Sequence, residues 1–166
     1  MNQNISAVKV DRDEEGNVKY PIEVSGTLKI LNLGIVEFER QTFHSARNIF
    51  PIGFKSVREY QSMFKAGQRC DYICEILDGG HGPLYKVTCM EDPENPIIRD
   101  ASSGVWIEIC KKINDVCNLG RTKVTVSGPD RYGLAEPAVT QLMASLPNAD
   151  KCVKFRPPNG WGNTND

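Results

Sequence analysis

Residues 70–90 read CDYICEILDGGHGPLYKVTCM, two apolar-rich runs either side of a glycine-rich centre. In the second run Tyr85, Val87 and Cys89 fall on one face, with Lys86 and Thr88 on the other. Alternation of this kind is the mark of a half-buried strand, because successive side chains of an extended chain point to opposite faces. The centre, DGGHGP, supplies the permissive residues of a reversal, so the stretch predicts a hairpin with strands over 70–77 and 84–90. A phosphate-cradling role for the glycines is disfavoured. Anion loops run from a strand into a helix N-terminus, whose dipole helps hold the charge, whereas this one joins strand to strand.

Upstream of the hairpin the pattern is also extended. RNIFPIGFKSVREYQSMF (47–64) reads as a strand interrupted at Pro51-Ile52-Gly53. Pro51 removes a ladder donor and must sit at an edge, a bulge or a turn. From Phe54 onward, Phe54, Ser56, Arg58 and Tyr60 share one face, with Lys55, Val57 and Glu59 on the other. GTLKILNLGIVEFE (26–39) reads as two apolar runs joined by NLG, a short link suited to a hairpin. Residues 1–20 lack either period and read as a flexible lead-in, and the Pro-, Gly- and Asn-rich 156–166 read as a disordered tail containing Trp161.

Downstream the period changes. After EDPENPIIRDASS (91–103), a loop with two prolines, Trp106, Ile109, Cys110, Ile113 and Val116 recur at helical spacing, with Ser102 and Ser103 as candidate caps. A tryptophan on that stripe belongs to the core more readily than to a ligand site. A second helix is predicted where Val139, Leu142, Met143 and Leu146 recur, with Pro137 in its first turn, Glu136 at its positive end and Pro147 as its stop. Between the two helices SGPDRYGLAEPAV (127–139) reads as a rigid corner. Strands followed by helices indicate an α+β fold, a single compact domain over about 21–155 in which an antiparallel sheet is followed by two helices packed on one face.

Composition narrows the function classes. The 166 residues are 40% hydrophobic and 25% charged, with net charge −1, which suits one globular domain. No apolar run approaches the roughly 18 residues of a membrane helix, and no basic-then-apolar leader opens the sequence, so an intracellular protein without a membrane partner is expected. The six cysteines, at 70, 74, 89, 110, 117 and 152, form no CxxC pair and stand apart from His44 and His81. They read as reduced, structural thiols, with no metal or cofactor expected. No nucleophile elbow, zinc-protease, nucleotide-loop or dinucleotide motif occurs, and no small-molecule substrate is implied. Cys74 with His81 is the one drawable nucleophile–base pair, and it places the sulfur in an apolar strand, where a thiol stays protonated. A nucleic-acid alternative rests on Lys111, Lys112, Arg121, Lys123 and Arg131, against a net charge that lacks the cationic surplus backbone binding needs.

Two blocks resemble the FY-rich domain of chromatin proteins. NIFPIGFKSVREYQS (48–62) is similar to its N-terminal motif through Pro51, Gly53, Phe54, Ser56, Arg58 and Tyr60. The C-terminal motif is matched by Thr88, Asp92, Trp106, Gly128, Pro129, Tyr132, Gly133, Leu134, Pro137, Leu142, Leu146, Pro147 and Cys152. The chain departs from the pattern at Tyr132, often Phe, at Gly104, often Pro, and at Ala135, often a capping Ser. The resemblance implies an N-terminal block at about 43–85 and a C-terminal block at about 85–155, joined in one unit with a sheet of about six strands. The short spacing of the blocks resembles the layout of the transforming growth factor beta regulator 1 group. The family further implies a nuclear, non-catalytic protein-interaction module whose partners are chromatin-associated proteins of histone-modifying or remodelling complexes. Partner-binding candidates are Arg58 and Tyr60, which share a strand face and are residue types enriched at hot spots, and the loop-tip pair Asp130 and Arg131. Pro51, Gly53, Phe54, Trp106, Gly128, Pro129, Tyr132, Gly133, Leu134 and Pro137 are expected to serve structure.

Overall fold

The computed structural model describes residues 8–157; Trp161 and most of the C-terminal tail lie outside the described residues. Six strands, β1 (Ile22–Ser25), β2 (Leu28–Asn32), β3 (Lys55–Gln61), β4 (Arg69–Asp78), β5 (Pro83–Cys89) and β6 (Ile97–Arg99), form one sheet in sequence order, and every neighbouring pair is antiparallel. Three helices follow: α1 (Ser102–Val116), α2 (Gly128–Tyr132) and α3 (Pro137–Ala144). The architecture is α+β.

The central hairpin lies where its alternation placed it, with Tyr72 opposite Cys89, Cys74 opposite Val87 and Ile76 opposite Tyr85. These six side chains are buried and form the middle of the core, while Glu75 and Lys86 pair on the other face. β3 follows the predicted parity, bringing Ser56 and Arg58 opposite Cys74 and Tyr72. Burial of Trp106, Ile109 and Ile113 against the sheet then docks α1, and Tyr132, Leu134, Val139 and Met143 complete the same cluster. Removal of this apolar surface from water is the main favourable term.

Four expectations are corrected. The first hairpin turns at Gly26-Thr27 rather than at NLG, because Ile22 and Val24 supply a strand before the glycine. NLG instead ends β2: the Asn32 side-chain oxygen accepts from the Gly34 N–H at 2.7 Å, and Gly34, at φ +81°, lies so close to Phe54 N and Ile52 O that a Cβ would stand within 2.8 Å of both. Residues 97–99 are not loop but a short edge strand on β5. The cap of α1 is Ala101, not a serine; it makes no side-chain cap bond, and Ser102 is already helical and buried. The corner at 127–139 contains a helix of its own, α2, capped by Ser127, whose Oγ accepts from Asp130 N at 3.3 Å.

That corner is the close contact of the helical layer. A Cβ on Gly128 would come within 2.3 Å of the Ser102 and Ser103 backbone, so only glycine lets the start of α2 lie on the start of α1. Gly133 ends α2 in the left-handed region at φ +92°, the usual role of glycine after a helix. Pro137 opens α3 behind the Glu136 cap, which makes no side-chain cap bond. Pro51 is buried in the turn before β3, and the N–H of Gly53, at φ +88°, donates to Ile76 O at 2.8 Å.

Candidate interaction surface

The inward face of β3 is polar where it meets α2. Ser56 Oγ donates to Tyr132 O at 2.8 Å. Arg58 Nε donates to Arg131 O at 3.1 Å, its Nη2 to Asp130 O at 2.8 Å, and its Nη1 to Thr27 Oγ1 at 3.3 Å. Alternate side chains on one face of the strand thereby satisfy the last carbonyls of a helix, and the guanidinium charge sits at its negative end. Arg58 is committed to three acceptors within the chain.

The cluster continues outward. Arg131 Nη2 donates to the Tyr60 hydroxyl at 3.1 Å, and the Arg131 guanidinium lies over the Tyr60 ring, 4.6 Å from its centroid. Asp130 sits beside it, with Oδ2 3.7 Å from Arg131 Nη1. Tyr60 in turn meets Trp106 edge to face, with centroids 5.9 Å apart. Below, the hydroxyl of fully buried Tyr132 lies 3.0 Å from Glu75 O and 3.1 Å from Lys86 O, so its single proton is shared between adjacent strands. Burial pushes its ionisation well above the ordinary tyrosine range. Arg58, Tyr60, Asp130 and Arg131, drawn from two distant parts of the sequence, are therefore neighbours.

Tyr60 and Arg131 form one wall of a groove of about 290 Å³. Its other walls include Ile113 and Cys110 of α1 and Arg121 and Lys123 of the link between α1 and α2. Asn114 shapes it: the side-chain oxygen accepts from Arg121 N and the side-chain nitrogen donates to Arg121 O, both at 3.0 Å. That clip was not foreseen, since an asparagine on the polar edge of a helix carries no long-range signal. Of the five basic residues singled out, Arg121, Lys123 and Arg131 converge on the groove, while Lys111 and Lys112 are exposed on α1 and do not line it.

The cysteine–histidine pair does not form a comparable site. Cys74 is fully buried under the helices, and burial pushes its thiol up to about 12, so at neutral pH it carries its proton. His81 is exposed in the turn between β4 and β5.

The chain matches two family models: "F/Y-rich N-terminus" over residues 19–79 and "F/Y rich C-terminus" over residues 82–160. The boundary falls in the β4–β5 turn, so one sheet is assembled from both. Transforming growth factor beta regulator 1 of Homo sapiens is 31% identical over 144 residues, which are 87% of this chain and 35% of that protein. Histone-lysine N-methyltransferase trr of Drosophila melanogaster is 29% identical over 166 residues, 90% of this chain and 7% of the enzyme. Histone-lysine N-methyltransferase 2D of Mus musculus is 25% identical over 163 residues, 89% and 3%. The chain thus spans about a third or less of these relatives. With the N-terminal match spanning β1 to β4 and the C-terminal match spanning β5, β6 and the helices, this chain belongs to the FY-rich domain family.

Proposed function

We propose that this chain is a nuclear protein-interaction module of a chromatin regulator, with no catalytic role of its own. The observation that carries this reading is the fusion of the two FY-rich halves into one sheet, in a chain whose relatives include histone-lysine N-methyltransferases. The groove beside Tyr60 and Arg131 is the proposed contact surface. Three cations around apolar side chains suit an acidic segment of a partner protein, since opposite potentials steer encounter and fix register. Arg58 and Asp130 shape that surface from behind by holding α2.

Affinity purification from nuclear extract tests the proposal, with wild type beside a Lys123→Glu/Arg131→Glu variant that keeps its thermal transition. Known chromatin subunits should be enriched on the wild-type chain and reduced on the variant. No chromatin subunit above background would reject the role, and equal recovery on both proteins would reject the groove. Retardation of DNA or RNA that weakens steeply with salt would favour the nucleic-acid alternative instead.

A further inference from the structure

The far end of the central hairpin brings together two thiols and a carboxylate that the interaction surface does not use. Cys70 Sγ and Cys89 Sγ lie 3.6 Å apart, Cys89 Sγ lies 4.0 Å from Glu91 Oε1, and all three ligand atoms fall within 4.8 Å of one another. Sheet geometry produces this arrangement. Tyr72 pairs with Cys89, and the ladder continues past the strand end through Met90 N donating to Asp71 O at 3.0 Å. Cys70, Cys89 and Glu91 therefore share one face of two adjacent strands. Sequence spacing could not reveal the group, because its members come from two strands rather than from one short knuckle.

We propose that Cys70, Cys89 and Glu91 form a binding site for a soft divalent cation of the zinc class. A tetrahedral zinc with sulfur ligands at about 2.3 Å places those sulfurs about 3.8 Å apart, and a carboxylate oxygen at about 2.0 Å lies about 3.5 Å from each. The observed sulfur separation already meets the first figure; the carboxylate oxygen, 4.0 Å from Cys89 Sγ and within 4.8 Å of Cys70 Sγ, needs to close by about half an ångström on Cys89 and by up to about 1.3 Å on Cys70. Cys89 is buried, whereas Cys70 and Glu91 are only partly buried, so water can fill the fourth position from the solvent side. Charge balances too: two thiolates, one carboxylate and Lys65, whose Nζ lies 3.7 Å from Glu91 Oε2, sum to −2. Glu91 is oriented from behind by Ser62, whose Oγ donates to Oε1 at 2.5 Å, the kind of outer bond that aims a metal ligand. On binding, the two thiol protons pass to solvent.

The test uses the full chain, reduced and stripped of metal, titrated with Co²⁺ and followed by thiolate-to-cobalt charge-transfer absorption. The expected result is a band that saturates at one equivalent and is displaced by Zn²⁺. Cys70→Ser and Cys89→Ser should each abolish it, Glu91→Gln should weaken binding about tenfold or more, and Cys110→Ser should retain it. No band, or a band that survives in the Cys70→Ser/Cys89→Ser variant, overturns the proposal. Should the serine variants fail to fold, peptide mapping of the wild-type chain decides. One equivalent of Zn²⁺ should slow alkylation of Cys70 and Cys89 and leave Cys110 and Cys117 unaffected; uniform or absent protection refutes the site. A Cys70–Cys89 disulfide that forms in air while the reduced chain binds no ion would also overturn it.

Discussion

Arg58 and the two glycines of the corner bear on the fold through a few close contacts. Arg58 donates to the carbonyls of Asp130 and Arg131, so Arg58→Ala strands two partly buried acceptors. It should lower stability by about 1–3 kcal/mol in urea denaturation, and lysine, with no fork to span both carbonyls, should restore little of it. Gly133→Ala meets two obstacles, a left-handed backbone and a Cβ that would stand 2.8 Å from Leu28 Cδ2. A loss of about 1–3 kcal/mol is expected. Gly128→Ala should cost more than Gly133→Ala, because the obstructing atoms are the Ser102 and Ser103 backbone rather than the end of a flexible side chain. A Gly128→Ala protein as stable as wild type would contradict the packing described for α1 on α2.

Elements differ in how far their own residues decide them. The β4–β5 hairpin was readable because seven matched pairs keep strict alternation around a turn rich in glycine. α1 was readable because its apolar stripe runs for four turns. α2 was not, since five residues containing Gly128 and Pro129 cannot sustain a helix alone. Its carbonyls are satisfied by β3 and its N-terminus by Ser127, so Ser127→Ala should destabilise by about 1 kcal/mol, as measured by thermal unfolding. β6 escaped for the same reason: three residues following Pro93 and Pro96 become a strand only because β5 offers an edge. A further link joins the segment before β3 to the β4–β5 turn. Arg40 donates to both Asp78 oxygens, at 2.9 and 3.0 Å, to Gly80 O at 2.7 Å and to Glu37 Oε1 at 3.1 Å. Asp78 is held below its usual 3.8 chiefly by the Arg40 side chain, and Glu37 below its usual 4.5 chiefly by the Arg40 backbone N–H. Both folded values are depressed, so their stabilisation is present above the unfolded pKa values and is lost as pH falls through the folded ones. Stability should therefore decline below about pH 4.5, and Arg40→Ala should show a shallower decline between pH 5 and 3 in urea midpoints, with high salt narrowing the difference.

At the scale of the whole molecule, the sheet and the helices share one apolar core. The core face of β3 to β5 is covered by Trp106, Ile109, Tyr132 and Val139 from the C-terminal part, and the Tyr132 hydroxyl bonds to carbonyls on β4 and β5. A fragment ending at Pro93 keeps the first five strands but loses that cover and the β6 edge. It should show no cooperative thermal transition, and a sharp one would contradict the single-unit description. Within the intact chain Cys74 should resist alkylation under native conditions, because its sulfur is buried beneath this layer.

The β4–β5 hairpin, the alternation of β3, the stripe of α1, the start of α3 and the family motifs were determined by the sequence alone, because alternation, helical period and proline placement act over a few neighbouring residues. The tertiary structure decided where polar groups find their partners. It brought Arg58 to the end of α2, Arg131 over Tyr60, Arg121 and Lys123 to the same groove, and Cys70 to Cys89 and Glu91. Each of these depends on strand register or helix docking across 19 or more residues of sequence for the sulfur pair and 71 or more for the contacts of α2 with β3. No local pattern encodes such separations; they exist only once the apolar faces have chosen how to pack.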